Sequence, residues 1–500
     1  MTQESTDTLA RNQLGVGAIV FLVLAAVAPV TVGVVVLPLA IATGNGGGTP
    51  VAVIIVAIAL LLFATGYAQM TKELVNAGGF YAIVVKGLGR PAGLVTGLIA
   101  TIGYNGFVAG ALGTIGFFSG AVALPTLFGF EVHWYIAGFI LFVIVFLLAR
   151  SGIHVSAVVL GVAMVLEVLL LLAFGAAVLI QKGFDFGAFT LAFSPEILVG
   201  GSIWIGLLMV ATAFIGFEAT ALFGEEAKDP RKTIPRATYL AIITIGVLHA
   251  FVAWAIVSSV GVGDAQAVAI EHQAAGDLTL VLVDQFLGPV MGVVALILLV
   301  VSLFAAQLAF HNSAARYLYA LGRAHVLPSW LAKTNAKGAP ERGLVVNLVF
   351  ALAVAAIFAV MVETDPDGNP LPPVVTLVPV GLGFGTLAVM IVQAIAALAV
   401  VVYFRRKRDP RLWTTFVAPL IGFLALLTFS IMALVNFPLV AGSSAPYVLV
   451  LPWLLVAALV GGLAYAAYLR SQRPDTYRAL SEDLETFTEL PEDHTMFTND

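Results

Sequence analysis

Long apolar runs, separated by short polar or charged breaks, dominate the chain from residue 14 to residue 470. Many of these runs reach about 20 residues, and a helix of that length crosses a hydrocarbon layer of roughly 30 Å. With charges and turn residues taken as boundaries, the pattern predicts twelve membrane-spanning helical segments and therefore an all-α membrane protein. Their expected ranges are 16–43, 49–71, 91–123, 133–149, 153–181, 199–224, 237–261, 286–321, 343–362, 374–404, 413–437 and 446–469.

In this twelve-helix topology, almost all lysines and arginines lie on one side of the membrane. With twelve segments and the N-terminus inside, every basic residue except Lys182 lies at a cytoplasmic loop or helix end. Positive charge collects on the cytoplasmic side of membrane proteins, and one missed or added segment would scatter these residues over both sides. We therefore expect a multi-pass protein of the cell (plasma) membrane with both termini cytoplasmic, beginning with a cytoplasmic N-tail at residues 1–13.

Composition agrees with a chain whose solvent is a lipid bilayer. Hydrophobic residues make up 61% of the 500 positions and charged residues 10%, against roughly 25% charged in soluble domains. The chain has no cysteine, which excludes disulfides and thiolate metal sites. It has no HExxH motif, phosphate-binding loop or channel filter sequence. We expect no enzyme activity, no metal, no cofactor and no nucleic-acid partner.

Residues 471–500 are polar and acidic. That composition is typical of a solvated, mobile segment, and we predict an acidic cytoplasmic tail. A tail that binds a partner is the alternative.

Two segments carry residues that interrupt a helix, at comparable places in the two halves of the chain. The first contains Ala28-Pro29-Val30-Thr31-Val32-Gly33, and the sixth contains Ala213-Phe214-Ile215-Gly216-Phe217-Glu218. Proline removes a backbone donor, and glycine weakens a helix. Interruptions in corresponding helices of two halves indicate an inverted-repeat transporter whose free helix ends bind the substrate. Either interruption alone is better explained as a packing kink.

Three motifs resemble those of the amino acid-polyamine-organocation superfamily, of the amino acid permease type. Asn76-Ala77-Gly78-Gly79-Phe80-Tyr81 followed by Gly87-Leu88-Gly89-Arg90-Pro91 resembles its signature between the second and third helices. The run FIGFEATALFGEEAKDPRKTIPRA at 214–237 is similar, almost position for position, to its sixth helix and the following loop. The run RYLYALGRAHVLP at 316–328 resembles the inner end of its eighth helix. Together the resemblance covers the chain from about the first to the ninth segment.

The resemblance implies a leucine-transporter-like fold that works by alternating access around a central site. Such a fold has two five-helix inverted repeats, here 14–182 and 199–404, and two further C-terminal helices, here 413–470, with helices 1 and 6 discontinuous. Many relatives carry a Gly-Ser/Thr-Gly stretch in helix 1, whose bare amides receive the substrate carboxylate. This chain departs from that pattern at residues 29–33, although Thr31 still offers a hydroxyl and a carbonyl.

The interruptions and the resemblance together define a candidate substrate site. Its residues are Ala28, Pro29, Val30, Thr31, Gly33, Tyr104, Asn105, Ala213, Phe214, Gly216, Phe217 and Glu218. Within this set, we expect Tyr104 and Asn105 to form part of the pocket wall and Phe214 and Phe217 an aromatic gate. Ordinary core packing explains each single aromatic residue equally well.

Two acids inside the membrane are candidates for proton coupling, because buried ionisable groups are costly and usually functional. Glu218 follows the second interruption and matches a family position that is often acidic and tied to substrate or proton. Glu167 lies in VAMVLEVLLLL with apolar neighbours on every side, so loss of water favours its neutral form. The resemblance places Glu167 near a lysine that mimics sodium in some proton-coupled relatives. The alternatives are a structural hydrogen bond for Glu218 and a protonated, carbonyl-bonded acid for Glu167.

The eighth segment argues against sodium as the coupling ion. The resemblance implies that a sodium site would combine helix 1 carbonyls with helix 8 hydroxyls. At the matching depth the chain reads Phe304-Ala305-Ala306-Gln307, with Ser302 about a turn away and no adjacent Ser/Thr pair. We therefore expect those hydroxyls to be missing, although an acid at Glu167 that ligates sodium directly is the alternative.

Other polar groups have more ordinary interpretations. We expect His249 to make an interhelical hydrogen bond, and His311 and Asn312 either to line an inner path or to pack. For the inner-loop charges, we expect a gate of individually weak ion pairs. That gate would join Glu225, Glu226, Asp229 and Arg231 to Arg90 and Arg316. Anchoring of the basic residues at the inner headgroups is the alternative, although it does not explain the clustered acids.

The leading functional hypothesis is a proton-coupled amino acid transporter. A polyamine or other organic-amine carrier is the alternative within the same class, because two buried acids also suit a cationic substrate. An amine-sensing receptor on the same fold is the alternative outside that class. The expected partners are a small-molecule amino acid or amine, protons and the lipid bilayer, and the oligomeric state stays open.

Overall fold

The fold of the chain is helical throughout its membrane region. The computed structural model describes residues 14–74, 79–151, 156–218, 220 and 227–485. In these ranges, eleven helices are long and apolar enough to cross a membrane, and the only β-structure is two isolated bridges. The predicted all-α membrane fold is therefore confirmed.

We number the main helices in chain order. The membrane-length helices are α1 (Val16–Thr43), α2 (Gly46–Glu73), α4 (Arg90–Phe128), α5 (Trp134–Ser151), α6 (Ser156–Lys182), α8 (Pro230–Val260), α11 (Pro289–Arg323), α12 (Glu341–Val360), α13 (Leu377–Arg406), α14 (Trp413–Val435) and α15 (Pro446–Gln472). The shorter helices are α3 (Gly79–Leu88), α7 (Ile203–Thr212), α9 (Ala265–Glu271), α10 (Leu278–Leu287) and α16 (Pro474–Glu485).

The short helix α7 stands where the sixth spanning segment was expected. It has ten residues, and the backbone beyond Thr212 forms turns instead of continuing the helix. Residues 219 and 221–226 of the expected segment lie outside the described residues. The count of twelve, the discontinuity of helix 6, the inverted-repeat division and the topology across the membrane therefore stay predictions.

Close contact between α4 and α13 runs along glycines. A Cβ added to Gly381 would lie 2.5 Å from the Gly110 Cα, and one added to Gly103 would lie 2.7 Å from the Ala388 Cβ. Small residues allow membrane helices to approach backbone to backbone, where van der Waals contact replaces the hydrophobic driving force. This contact fixes the position of α4, which carries Tyr104 and Asn105.

The first part of the expected C-terminal tail is folded. Helix α16 covers 474–485, and Leu480 keeps only 1% of its surface exposed, packed with Leu94 and Leu321. The Tyr81 hydroxyl donates to the Leu480 carbonyl at 3.0 Å. The acidic composition concealed an apolar helix face, so the structure differs here from the predicted mobile tail. The rest of the tail, 486–500, lies outside the described residues.

Candidate functional site

The first helix is interrupted at Ala28. This residue has a left-handed backbone, φ 56° and ψ 74°, which is strained for a side chain larger than glycine. Pro29 follows and has no N–H to donate. The Val30 N–H donates to the Glu167 Oε2 at 3.1 Å, and the Thr31 N–H donates to the Ser302 Oγ at 3.2 Å. The amides released by the break are therefore satisfied from two other helices, α6 and α11.

One carboxylate joins these three helices. The Ser302 hydroxyl donates to the Glu167 Oε2 at 2.8 Å and accepts from the Thr31 Oγ1 at 3.0 Å. Glu167 is 2% exposed and Ser302 is fully buried. A carboxylate with two donors is partly compensated for its loss of water. The arrangement can hold α1 against α6 and α11 as long as Glu167 accepts both bonds.

Ser302 reaches the first-helix break. The sequence places this residue about a turn away from the depth of a sodium site, yet its hydroxyl contacts both Thr31 and Glu167. The exclusion of sodium, which rests on the lack of an adjacent Ser/Thr pair, stays a prediction. Helix α11 has 35 residues, and its axial position and rotation relative to the α1 break decide which side chain reaches the break. No local sequence pattern predicts that position or rotation.

The carbonyl of Gly33 is also used. It accepts a hydrogen bond from the Thr279 Oγ1 at 2.8 Å, which ties α10 to the first helix just beyond the break. A Cβ added to Gly33 would lie 3.0 Å from a Leu171 methyl and 3.6 Å from Val252. Helices α6 and α8 therefore close around this position.

The second interruption follows α7. The amides of Ala213, Phe214 and Ile215 bond to carbonyls only three residues back, and Gly216 has φ 118°. The Gly216 N–H donates to the Glu218 Oε2 at 2.9 Å. This amide is therefore satisfied locally, by an acid two residues away.

Glu218 is held by hydroxyls from two further helices. Its Oε1 accepts from the Tyr104 hydroxyl of α4 at 2.5 Å, and its backbone carbonyl accepts from the Tyr67 hydroxyl of α2 at 3.0 Å. The Tyr104 ring stacks on Tyr317 of α11, with centroids 5.2 Å apart. Glu218 is 5% exposed. A negative group beside stacked aromatic rings is a setting that suits a cation.

The two interruptions lie next to each other. A Cβ added to Gly216 would lie 3.7 Å from the Val27 Cγ2 and 4.0 Å from the Val27 backbone nitrogen, directly before Ala28. The structure therefore brings the first interruption beside the second, with Glu167 bonded to the first and Glu218 to the second.

The predicted aromatic gate is part of a packed core. Phe214 and Phe217 are almost fully buried. Phe217 packs edge-on against Phe63 of α2 at 6.1 Å, and a Cβ on Gly246 of α8 would be 3.7 Å from the Phe214 ring. Their role as a gate stays a prediction.

Asn105 belongs to a second polar network. Its Oδ1 accepts from the Asn347 Nδ2 at 2.6 Å, while the Asn347 Oδ1 lies 2.5 Å from the His311 Nδ1. Asn105 therefore bonds to α12, whereas its neighbour Tyr104 bonds to Glu218. The sequence did not single out Asn347, and nothing local marks it.

His249 does not make the expected interhelical hydrogen bond. It is fully buried, and neither ring nitrogen has a hydrogen-bond partner among the described residues. The interpretation of His249 as a satisfied packing histidine is therefore wrong.

The expected gate of ion pairs includes Glu225 and Glu226, and both lie outside the described residues. The gate therefore stays a prediction. Asp229 pairs with Lys232 at 3.1 Å. Other ion pairs join the ends of membrane helices: Lys407 lies 2.7 Å from Glu73, and Arg150 lies 2.7 Å from Glu341.

No metal site is evident in the described ranges, where no three His, Asp or Glu side chains are grouped so that they could hold an ion. Hydrogen-bonded acids at two helix breaks can instead bind a small polar molecule and exchange a proton.

Comparison with known proteins gives one family and several relatives. The family described as "Amino acid permease" matches residues 14–460. The "Branched-chain amino acid permease BcaP" of Lactococcus lactis is 28% identical over 315 residues, which are 59% of this chain and 65% of that protein. The match thus spans just under two thirds of the lactococcal protein. The "Uncharacterized transporter" proteins Mb2022c of Mycobacterium bovis and Rv1999c of Mycobacterium tuberculosis are 27% identical over 344 residues, 67% of each chain.

Proposed function

Since the chain belongs to the amino acid permease family, we propose that it carries amino acids across a membrane by alternating access and is driven by protons. The observation that carries the proton-coupling proposal is the Glu167 carboxylate. It accepts the Val30 N–H released by the first-helix break and the Ser302 hydroxyl.

The chemistry of this contact supports coupling. A charged carboxylate only accepts hydrogen bonds, whereas a protonated one also donates and accepts more weakly. A proton on Glu167 therefore weakens the bonds that hold the α1 break to α6 and α11. A proton can shift a conformational equilibrium only if it binds one conformation better than the other. An acid at the junction of three helices can meet this condition, because its bonds depend on how the helices are arranged.

The direction of transport rests on the topology predicted from the basic residues. We propose a plasma-membrane protein with both termini cytoplasmic. An inward proton gradient would then drive uptake into the cell, and the two helix breaks would bind the substrate near the middle of the membrane.

Branched-chain amino acids are the first substrates to test, because the lactococcal relative is described as a permease for them. An organic-amine carrier is a second candidate, favoured by a specific observation. The amides of Val30, Thr31 and Gly216 all donate to the protein's own side chains, which leaves those donors engaged when a substrate carboxylate arrives. Glu218, beside the rings of Tyr104 and Tyr317, suits an ammonium group.

The test is uptake into proteoliposomes, first under an inward proton gradient without sodium and then under a sodium gradient without a pH difference. We expect accumulation only in the first case, and we expect Glu167→Gln to abolish it. Asp367→Asn, at an exposed loop acid, is the matched control and should leave uptake unchanged. Sodium-driven uptake, or accumulation by Glu167→Gln, would refute proton coupling through this residue.

The substrate class is tested in the same vesicles with leucine and with isopentylamine, its decarboxylated analogue. Preferred uptake of leucine supports the amino acid proposal, and preferred uptake of the amine supports the second candidate. Binding of either compound without any uptake would favour the receptor alternative.

A further inference from the structure

An apolar cavity of about 370 Å³ lies away from the helix breaks, between α2, α6 and α8. The connector after α6 covers it with Phe184, Phe189 and Phe193, and α8 contributes Trp254. Ser258 is the one lining residue with a side-chain hydroxyl. We call this space the Trp254 cavity. Its volume falls in the range of roughly 300–1,000 Å³ that is usual for sites that bind small molecules.

The Trp254 cavity opens on the outer surface of the helix bundle. Three of its lining residues, Ile54, Leu179 and Phe184, keep 39%, 39% and 55% of their surface exposed. In a membrane-spanning bundle, apolar surface of this kind faces lipid and not water. The nearest apolar material that can enter the cavity is therefore an acyl chain of the bilayer.

A lysine, Lys182, stands at the rim. The Lys182 Nζ donates to the Ser259 carbonyl at 2.6 Å and to the Ser258 carbonyl at 3.4 Å, beside the lining residue Ser258. Lys182 follows Leu179, another lining residue, by less than one helical turn. An ammonium group has three N–H donors, and these two carbonyls use two of them. The third is available to a phosphate oxygen.

The position along the helices fits the polar boundary of a membrane. Helices α6 and α8 end at Lys182 and Val260, and α2 begins at Gly46. Tryptophan and lysine are common at that level, where an apolar body meets charged headgroups. Trp254 stacks on Phe251, with centroids 5.7 Å apart, so the wall of the cavity is a layer of rings at this boundary.

We propose that the Trp254 cavity is a phospholipid site, in which one acyl chain lies against Trp254 and Phe184 while the lipid phosphate contacts Lys182. The apolar lining selects a hydrocarbon chain, and the lysine at the rim selects a lipid with a phosphate over one without. This site is separate from the transport site and does not depend on which substrate the protein carries.

Quenching by brominated lipid tests the proposal on the full chain in detergent micelles. Bromine quenches tryptophan fluorescence on contact, so dibrominated phosphatidylglycerol is titrated into the protein. The Trp254 signal is obtained as the difference between wild type and Trp254→Phe. Trp453, which is 67% exposed on α15, is measured in the same way through Trp453→Phe and reports ordinary surface lipid.

We expect Trp254 to be half quenched at a clearly lower lipid fraction than Trp453, and unbrominated phosphatidylglycerol to reverse this effect. Ala250→Phe, which adds a ring at a lining position, should remove the difference between the two tryptophans. Equal quenching curves for Trp254 and Trp453 in the wild-type protein would overturn the site.

A separate experiment tests the contact between Lys182 and the lipid phosphate. Lys182→Gln should raise the half-quenching lipid fraction for Trp254 by roughly two- to fivefold, as expected for one partly exposed ion pair. Dibrominated diacylglycerol, which has the same chains and no phosphate, should quench Trp254 no better than it quenches Trp453. If diacylglycerol and phosphatidylglycerol quench Trp254 alike, or if Lys182→Gln has no effect, the proposed phospholipid site is refuted.

Discussion

The two helix breaks lie side by side, but they are stabilised in different ways. At the first, the released Val30 amide is satisfied by Glu167, an acid 137 positions away on another helix. At the second, the Gly216 amide is satisfied by Glu218, two residues away in the same turn. The released amide is satisfied by another helix at the first break and by its own turn at the second, although Tyr104 and Tyr67 also reach Glu218 from other helices. A change at the first break should therefore disturb helix packing, whereas a change at the second should mainly disturb the local wall of the site.

The same contrast applies to the backbone. The first break places an alanine in the left-handed region, and the second places a glycine at φ 118°. Glycine reaches such conformations freely, whereas alanine is strained by roughly 1–2 kcal/mol. The first break therefore depends on its surroundings to hold Ala28, and Glu167 and Ser302 supply part of that hold.

The largest expected effect comes from Glu167→Leu compared with Glu218→Leu. The first change leaves the Val30 N–H buried without a partner and cuts the contact among three helices, so we expect a cost of at least about 1–3 kcal/mol. The second change removes the Tyr104 contact between helices, but its amide contact spans only two residues of one turn, so we expect it to cost less. Melting temperatures of the two purified variants in detergent check the order, and both should lose transport. A lower melting temperature for Glu218→Leu would contradict the comparison.

Gly216→Ala should have the next largest effect. Among the described residues, the added methyl group would meet no atom closer than 3.7 Å, so we expect the cost to arise mainly from the backbone. A φ of 118° is open to glycine and costs other residues about 1–3 kcal/mol. We expect lower thermal stability and reduced uptake. Gly263→Ala, at a glycine with open space around it and no positive φ, is the control and should change little.

Local chemistry in the sequence pointed to the backbone interruptions and to the two buried acids beside them, whereas their role in binding a substrate stays a prediction. Proline and glycine marked the first break, glycine marked the second, and a carboxylate in an apolar run marked Glu167 and Glu218. These signals work because each residue conflicts with its own neighbourhood in the chain.

The partners of those residues could not be predicted. Ser302, Asn347 and Thr279 are ordinary polar residues within or beside apolar helices, and their roles depend on the rotation and depth of one helix against another. The same limit explains Asn105, which adjoins Tyr104 in the chain but bonds toward Asn347 instead of Glu218. Packing decides such directions, and the sequence records packing only indirectly.

A milder comparison removes one hydroxyl at each break. Ser302→Ala takes a donor from Glu167 and a partner from the Thr31 amide, and Tyr104→Phe takes one donor from Glu218. A hydrogen bond to a charged group contributes about 1.5–3 kcal/mol, and Ser302 also serves a second group. We expect Ser302→Ala to lower the melting temperature more and Tyr104→Phe to lower uptake more at equal surface level. Ser430→Ala, whose hydroxyl bonds only within its own helix, controls for loss of a buried serine.

The smallest expected effect, and the sharpest in sign, comes from Ala28→Gly. Because Ala28 has a left-handed backbone, glycine relieves its strain, while it also adds freedom to the unfolded chain. The two terms oppose each other, and the strain of roughly 1–2 kcal/mol exceeds the typical entropy cost of about 0.4–1 kcal/mol. We therefore expect Ala28→Gly to raise the melting temperature slightly, in contrast to the loss at Gly216→Ala. Ala40→Gly, in the regular part of the same helix, should lower it. A fall for Ala28→Gly as large as that for Ala40→Gly would mean that residue 28 is helical in the folded protein, and the first break would then lose its distinct geometry.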